Sequence, residues 1–509
     1  MNPYKGLKIL LVLMILLLTG SLGYLLTLYD QHDKILPEKM PLLDSLEPTD
    51  VDSIQIVLGS FLGNETRSYY GDSLPNELNI LWKYEIGGGI TNPTGKKEEE
   101  WKGAGWTGQP LIIEENGHPY LIQGCYDHTL KKIDAINGNL VWEYLFDDVL
   151  KGTGTIWMNP NPHDPLNRIL ILQGARLGLN NTLYQDTIPS YRAISYLTGK
   201  EVWRLNVKKG PSFSRDVDGS AIIINDTAYI GLENGYLSVF NPGETDLLNS
   251  PKGKFKSLLA EYPLFNENDQ LKHGGELVIE SSPCKLGNHL YLTTGSGHVY
   301  GYNLQTRTVD WDLYLGADMN GTPVVTADSC LLVTLEKEFI AGQGGVMKID
   351  PQKSPAESVV WYFPTGDQVF ANWEGGIVGS PSINDHYSGT LKKGLACITA
   401  LDGNLYLLDH TQTHDSIKVK GPDSIHDYPT PVVLDQQLIG SSISTPIFVG
   451  NKICAASYSK ICIFEISEHY QLQLLAMFKG VFEATPTAYH GMVFIAAKNG
   501  FLYCLGKNS

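Results

Sequence analysis

The chain runs to 509 residues, ample for a large core, with 18% charged residues and 52 glycines. Its 38 basic residues against 55 acidic ones leave a net charge of −17, and no basic run or Arg-rich stripe offsets it, which excludes nucleic acid as a partner. Seven cysteines, an odd number without a C-x-x-C, exclude a disulfide framework and a zinc site.

Residues 1–30 read as a membrane anchor. Ile9 to Tyr29 carries no charge and is long enough, at about 1.5 Å per residue, to cross a bilayer as a helix. Lys5 and Lys8 precede it and Asp30 and Asp33 follow, so the positive-inside bias puts the remainder on the extracytoplasmic, periplasmic side. A cleavable signal peptide is the alternative, with Ile9–Leu18 as its apolar region and Ser21-Leu-Gly23 as a small-x-small site. Residues 31–79 read as a tether with Pro37, Pro41, Pro48 and Pro75. Within it the aromatics of Leu58–Gly71 are expected to lie against the domain.

Residues 80–506 hold a repeat. Its first strand opens on a small or polar residue followed by Pro: Gln109-Pro110, Asn159-Pro160, Ser282-Pro283, Thr322-Pro323, Ser380-Pro381, Thr445-Pro446 and Thr485-Pro486, with Ser220-Ala221 filling one more place. Proline suits the innermost strand of a propeller blade, whose inner side has no ladder partner. Hairpins with glycine turns follow, at Asn234-Gly235, Ser296-Gly297, Asp402-Gly403 and Asn499-Gly500. Outer strands carry Trp82, Trp142, Trp203, Trp311 and Trp361, whereas blades three, six and seven lack the tryptophan. The last unit ends without its outer strand, and an unattached one, Leu81–Ile86, stands at the other end. The expected fold is therefore all-β, an eight-bladed propeller of four-stranded blades closed by pairing its N-terminal strand with its C-terminal blade. A hairpin turning at Tyr458-Ser459 would put Cys454 opposite Ile463 and Cys462 opposite Ala455, on opposite sheet faces and unbonded.

Ile133-Asp-Ala-Ile-Asn-Gly-Asn-Leu-Val-Trp142 and Ile194-Ser-Tyr-Leu-Thr-Gly-Lys-Glu-Val-Trp203 resemble the repeat of the PQQ-like (quinoprotein alcohol dehydrogenase-like) β-propellers. That family includes PQQ-dependent alcohol dehydrogenases and cofactor-free envelope scaffolds, such as the propeller lipoprotein of the outer-membrane barrel-assembly machinery. The fold therefore leaves function open. The dehydrogenases hold calcium and PQQ with Glu, Asn and Asp at the propeller mouth. Many also stack an adjacent Cys-Cys pair on the quinone, which this chain lacks. The resemblance is closer to the scaffolds.

Candidate chemistry is sparse. Gly103-Ala-Gly105-Trp-Thr-Gly108 matches G-x-G-x-x-G, but a strand follows where a nucleotide site needs a helix, so these glycines are expected to ease the chain into the crowded ring centre. Asp216-Val-Asp218-Gly219 lacks the Glu of a calcium loop. His410, His414 and His426 are expected in a loop. Trp101, Trp106, Trp157 and Trp373 all fall just before or at the start of inner strands, where loops surround the channel mouth. The position three before each Pro reads Thr107, Trp157, Asp218, Glu280, Asn320, Val378, Ile443 and Glu483. Indoles and carboxylates together can hold a small ligand, so Trp106, Trp157, Asp218, Glu280, Asn320, Trp373 and Glu483 are the candidate mouth residues. The segments Asn161–Ser190, Pro242–Gly275, Lys337–Gly375 and His410–Gly440 exceed hairpin lengths and are expected to be binding loops, with Tyr184, Phe265, Phe370 and Tyr428 as anchors.

The expectation is a monomeric, non-enzymatic propeller without a cofactor, held at the cytoplasmic membrane and presenting its loops to an envelope protein. The first alternative is a PQQ- and calcium-dependent alcohol or sugar dehydrogenase, with Asp218, Glu280 and Asn320 around calcium and Trp157 or Trp106 against the quinone. The second is recognition of a polysaccharide by the mouth indoles.

Overall fold

In the computed structural model the eight expected blades close into a ring; it describes residues 53–92, 97–387, 389 and 391–508. The anchor and most of the tether lie outside the described residues, among which no helix is long and apolar enough to cross a membrane. Eight blade sheets, antiparallel but for one strand added to the outer edge of blade 2, follow one another in chain order, and a separate two-stranded hairpin joins Gly88–Thr91 to Glu99–Lys102. Blade 4 shows the plain pattern: Cys284–Leu286, His289–Thr293, His298–Asn303 and Thr308–Tyr314 pair consecutively from centre to rim. Closure is as expected. Asn79–Glu85 pairs antiparallel with Phe501–Gly506, with Trp82 opposite Cys504 and Lys83 opposite Tyr503. No sheet edge is left open at the seam, because the first outer strand completes the last blade. Cys454 faces Ile463 and Cys462 faces Ala455, and all seven cysteines are buried and free.

The repeat residues hold blades to each other. Each Trp indole donates to a backbone carbonyl of the next blade: Trp82 to Ala135, Trp142 to Tyr196, Trp203 to Pro242, Trp311 to Lys353 and Trp361 to His410, at 2.9–3.1 Å. The glycine of the Asn/Thr-Gly turn is where this indole lands. A β-carbon on Gly138 would sit 2.7 Å from the Trp82 ring, and one on Gly199 2.9 Å from Trp142, while both turns need positive φ. Where the tryptophan is missing, other rings take over: Tyr262 of blade 3 packs 4.9 Å from Tyr302, and Phe478 of blade 7 lies 5.4 Å from Tyr503.

The residue before each Pro forms a belt around the channel. The backbone N–H of Gln109 donates to Thr153, Ser220 to Ser282, Ser282 to Thr322, Thr322 to Ser380 and Ser380 to Thr445, all at 2.7–3.0 Å. At these five positions a small hydroxyl supplies the acceptor for the preceding blade's buried amide.

The inner strands are sheet edges as expected from proline, except in blade 1. Ile54–Leu58 adds a fifth strand to the inner edge of blade 1, pairing with Leu111–Glu115. The chain then crosses the channel as a plug. Phe61, Leu62 and Tyr70 are fully buried. The Phe61 amide donates to Ser220 and the Leu62 amide to Gln109. Carbonyls of Glu65 and Thr66 accept from the amides of Lys285 and Val325, and the Tyr70 hydroxyl accepts from Ile383. Gly71 (φ +124°) bridges to Ala488, where a β-carbon would overlap the Ala488 carbonyl. The last part of the expected tether is thus built into the ring and seals one end of its channel.

Several expected loops are regular structure. His410–Gly440 is mostly a long hairpin, Asn404–Lys420 with Asp427–Leu438, so His410 and His414 lie on a strand; His410 is buried between Asp385 and Lys348. Lys337–Gly375 contains the third and fourth strands of blade 5, and Asn161–Ser190 contains Ile169–Gly174 of blade 2. Pro242–Gly275 holds a hairpin whose strand Gly253–Lys256 joins the outer edge of blade 2, then the outer strand of blade 3 and the short helix Glu267–His273. Short apolar runs separated by polar insertions hid these strands from a reading based on turn length.

Candidate functional site at the open channel mouth

The mouth lies at the starts of the inner strands, opposite the plug. Two rings of side chains meet there. The first is the position three before each Pro. In blade 2 the register differs from the expected one: the inner strand is Thr155–Met158, so Asn159-Pro160 follows it and the true equivalent is Thr153-Gly154. The blade 2 ring residue is therefore Lys151. Trp157 is not at the mouth; it is buried within the inner strand on the plugged side.

The second ring is the residue one or two positions beyond the second strand in each of blades 2 to 8. Its amide bonds the carbonyl two residues before the first-ring position: Arg176 to Val149, Glu233 to Asp216, Gly295 to Val278, Glu336 to Asp318, Leu401 to Gly376, Tyr458 to Ser441 and Lys498 to Val481. The repeat places this ring as regularly as the first, and the residue ahead of each glycine turn is its sequence signal.

Together the rings divide the mouth in two. On the side of blades 2 to 5 are carboxylates. Lys151 Nζ lies 2.6 Å from Asp218, 3.3 Å from Glu233, 3.4 Å from Glu280 and 3.9 Å from Asp216, and Arg176 Nε donates to Asp216 at 2.6 Å. Burial opposes the Lys151 charge, but the four carboxylates outweigh it and hold its pKa well above the ordinary value. Burial likewise pushes Asp218 up to about 7, Glu233 to about 8 and Glu280 to about 7, against the pull of Lys151. In blade 5 the Asn320 amide donates to Glu336 at 2.9 Å and to Asp318 at 3.2 Å. Burial, reinforced by neighbouring acids, drives Asp318 and Glu336 well above the carboxylate range.

The opposite side is aromatic. Val378, Leu401 and Ile443 are buried beneath Trp106, Phe370, Trp373 and Tyr458, with Phe370 and Tyr458 4.5 Å apart. Glu483 belongs to this side; it accepts from Tyr458 at 2.7 Å and pairs with Lys498 at 2.6 Å. The Gly103–Gly108 stretch eases the chain into the ring: β-carbons on Gly103 and Gly105 would fall 2.3 and 2.4 Å from the carbonyls of Ala497 and Lys151.

Of the candidate residues, then, Asp218 and Glu280 share Lys151, Asn320 joins Asp318 and Glu336, and Trp106, Trp373 and Glu483 form the other side.

Solved structures match this arrangement of blades. BamB from Moraxella catarrhalis aligns with a TM-score of 0.50 at 11% identity, covering 84% of this chain and 100% of its own. The quinohemoprotein alcohol dehydrogenase from Comamonas testosteroni aligns at 0.52 and 13% identity, covering 89% of this chain and 81% of its own. The fold is the PQQ-like β-propeller. No family model and no curated relative matches the sequence. At these identities the two neighbours establish the fold alone.

The calcium and PQQ of the dehydrogenases can be tested against these residues. A shared cation would need Asp218, Glu280 and Asn320 to turn toward one point. Lys151 Nζ already lies between Asp218 and Glu280, and Asn320 points its amide donors at Asp318 and Glu336. These residues do not fit a calcium ion in that role.

Proposed function

We propose that this chain is a membrane-anchored, extracytoplasmic propeller that serves as a protein-interaction scaffold, binding its partner at the open mouth. The observation that carries this reading is the mouth itself: a ring with buried carboxylates on one side and the half-buried Trp106, Phe370, Trp373 and Tyr458 on the other, facing away from a channel end closed by its own plug. Aromatic anchors beside fixed charge suit a protein surface that offers apolar and basic groups together. The anchor rests on the uncharged run Ile9–Tyr29 behind Lys5 and Lys8. The likeness to BamB supports a scaffold only through the shared fold.

The test is to extract the full-length chain from membranes and compare co-purifying proteins for wild type and Trp373→Ala. A partner captured by wild type and lost in the variant is expected. Reconstitution with PQQ and calcium should give no dye-linked alcohol oxidation; turnover there would overturn the reading.

A further inference from the structure

The two acidic groups of the mouth are repeats of one another. Asp216, Asp218 and Glu233 of blade 3 occupy the same repeat positions as Asp318, Asn320 and Glu336 of blade 5, as their shared backbone bonds show: Glu233 N–H to Asp216 and Glu336 N–H to Asp318. One oxygen each of Asp218, Glu233 and Glu280 lie within 4.8 Å of one another, and the same holds for Asp318, Glu336 and Glu338.

What differs is the preceding blade. Blade 2 supplies blade 3 with two cations, Lys151 from the first ring and Arg176 from the second. Blade 4 supplies blade 5 with Glu280 and Gly295 at those two positions. Both internal cations are gone, and a further carboxylate has been added. Gly295 offers no side chain where Arg176 has one, and none would fit: a β-carbon there would press on Val278 at 2.9 Å and lie 3.2 Å from Asp318 Oδ1. That oxygen, on a residue only 5% exposed, has no hydrogen-bond partner, nor does Asn320 Oδ1 beside it. Buried acceptors without donors are rare and costly unless something supplies the donor. Beyond the strand end at Leu335, Lys337 turns away to pair with Asp367. Glu338, which is exposed, marks the way in.

Resting on the scaffold reading above, we infer that the Asp318–Asn320–Glu336–Glu338 group receives a basic side chain from the partner protein, in the place that Lys151 and Arg176 fill for blade 3. The chemistry favours an organic cation over a metal. Asn320 directs both amide donors at this group and so occupies oxygens that a calcium ion, with its six to eight ligands, would need. An ammonium has three N–H donors and asks for three acceptors. Because burial and the repulsion of each other, Glu276, Glu280 and Glu338 hold Asp318 and Glu336 above the usual carboxylate range, the incoming charge displaces protons and binding strengthens as pH rises.

Calorimetry on the purified full chain tests this with a short synthetic peptide carrying lysine, the same peptide with arginine, its ε-acetyl-lysine form, cadaverine and calcium chloride. Saturable binding of the basic peptides is expected, lost on acetylation. It should weaken at least tenfold in Glu336→Gln and about threefold in Glu338→Gln, whose exposed position leaves folding intact. Peptide binding that is absent or insensitive to both variants would overturn the inference. So would calcium or cadaverine binding more tightly than the peptides. Because the peptide assay needs no native partner, its failure alongside retained partner capture would sink this inference and leave the scaffold reading standing.

Discussion

The two ends of the channel are built from the same repeat yet solve opposite problems. At the plugged end the inner-strand amides that a propeller leaves unpaired are met by chain carbonyls and hydroxyls, and Phe61, Leu62 and Tyr70 fill the space. At the mouth the repeat gathers acids that only partly find cations, so Asp318 and Asn320 keep acceptor atoms without donors. The contrast separates a region optimised for stability from one that keeps unspent interaction capacity, and such capacity is what a binding site requires.

The largest way to break the contrast is to give blade 3 the defect of blade 5. Lys151→Met strands the three carboxylates of Asp218, Glu233 and Glu280 and should cost about 3–5 kcal/mol in urea unfolding at pH 8. The sign with pH follows from the raised carboxylates. Their protonated forms are favoured in the fold, so this stabilisation is full below the ordinary carboxylate range and disappears as pH rises through about 7–8. The variant should therefore approach wild type at pH 5 and fall furthest behind at pH 9; equal losses at both would refute the ionic account.

Opening the other end should cost about 3 kcal/mol. Phe61→Ala removes a fully buried ring from the plug, and hydrogen exchange at Lys285 and Val325, whose amides the plug accepts, should speed up while mouth amides stay protected. Tyr70→Phe is milder at about 1–2 kcal/mol, since it leaves the buried Ile383 amide without its acceptor. Glu483→Gln is the smallest, below about 1 kcal/mol, because its Lys498 partner is 41% exposed and solvent screens the pair. A loss from Glu483→Gln as large as that from Lys151→Met would mean that the acidic and aromatic sides of the mouth are not distinct.

Reading the mouth from sequence went astray at one place for a physical reason. Blade 2 has Gly154 where every other blade but the third has Pro, so the nearest small-Pro pair, Asn159-Pro160, shifted the count by one strand length and put Trp157 where Lys151 stands. The other ring positions carried over, because the hydroxyl at this repeat position accepts from the preceding blade's amide and cannot drift.

By itself the sequence determined the all-β repeat, the eight blades, the Trp82 strand that closes the ring and the unbonded cysteines, because each follows from alternation, tight turns and pairing between neighbouring strands. Only the tertiary structure decided that residues 54–73 cross the channel, that Lys151 sits among Asp218, Glu233 and Glu280, and that blade 5 lacks the cations of blade 3. Those outcomes depend on contacts between residues tens to hundreds of positions apart, brought together by ring closure, and no local pattern records them.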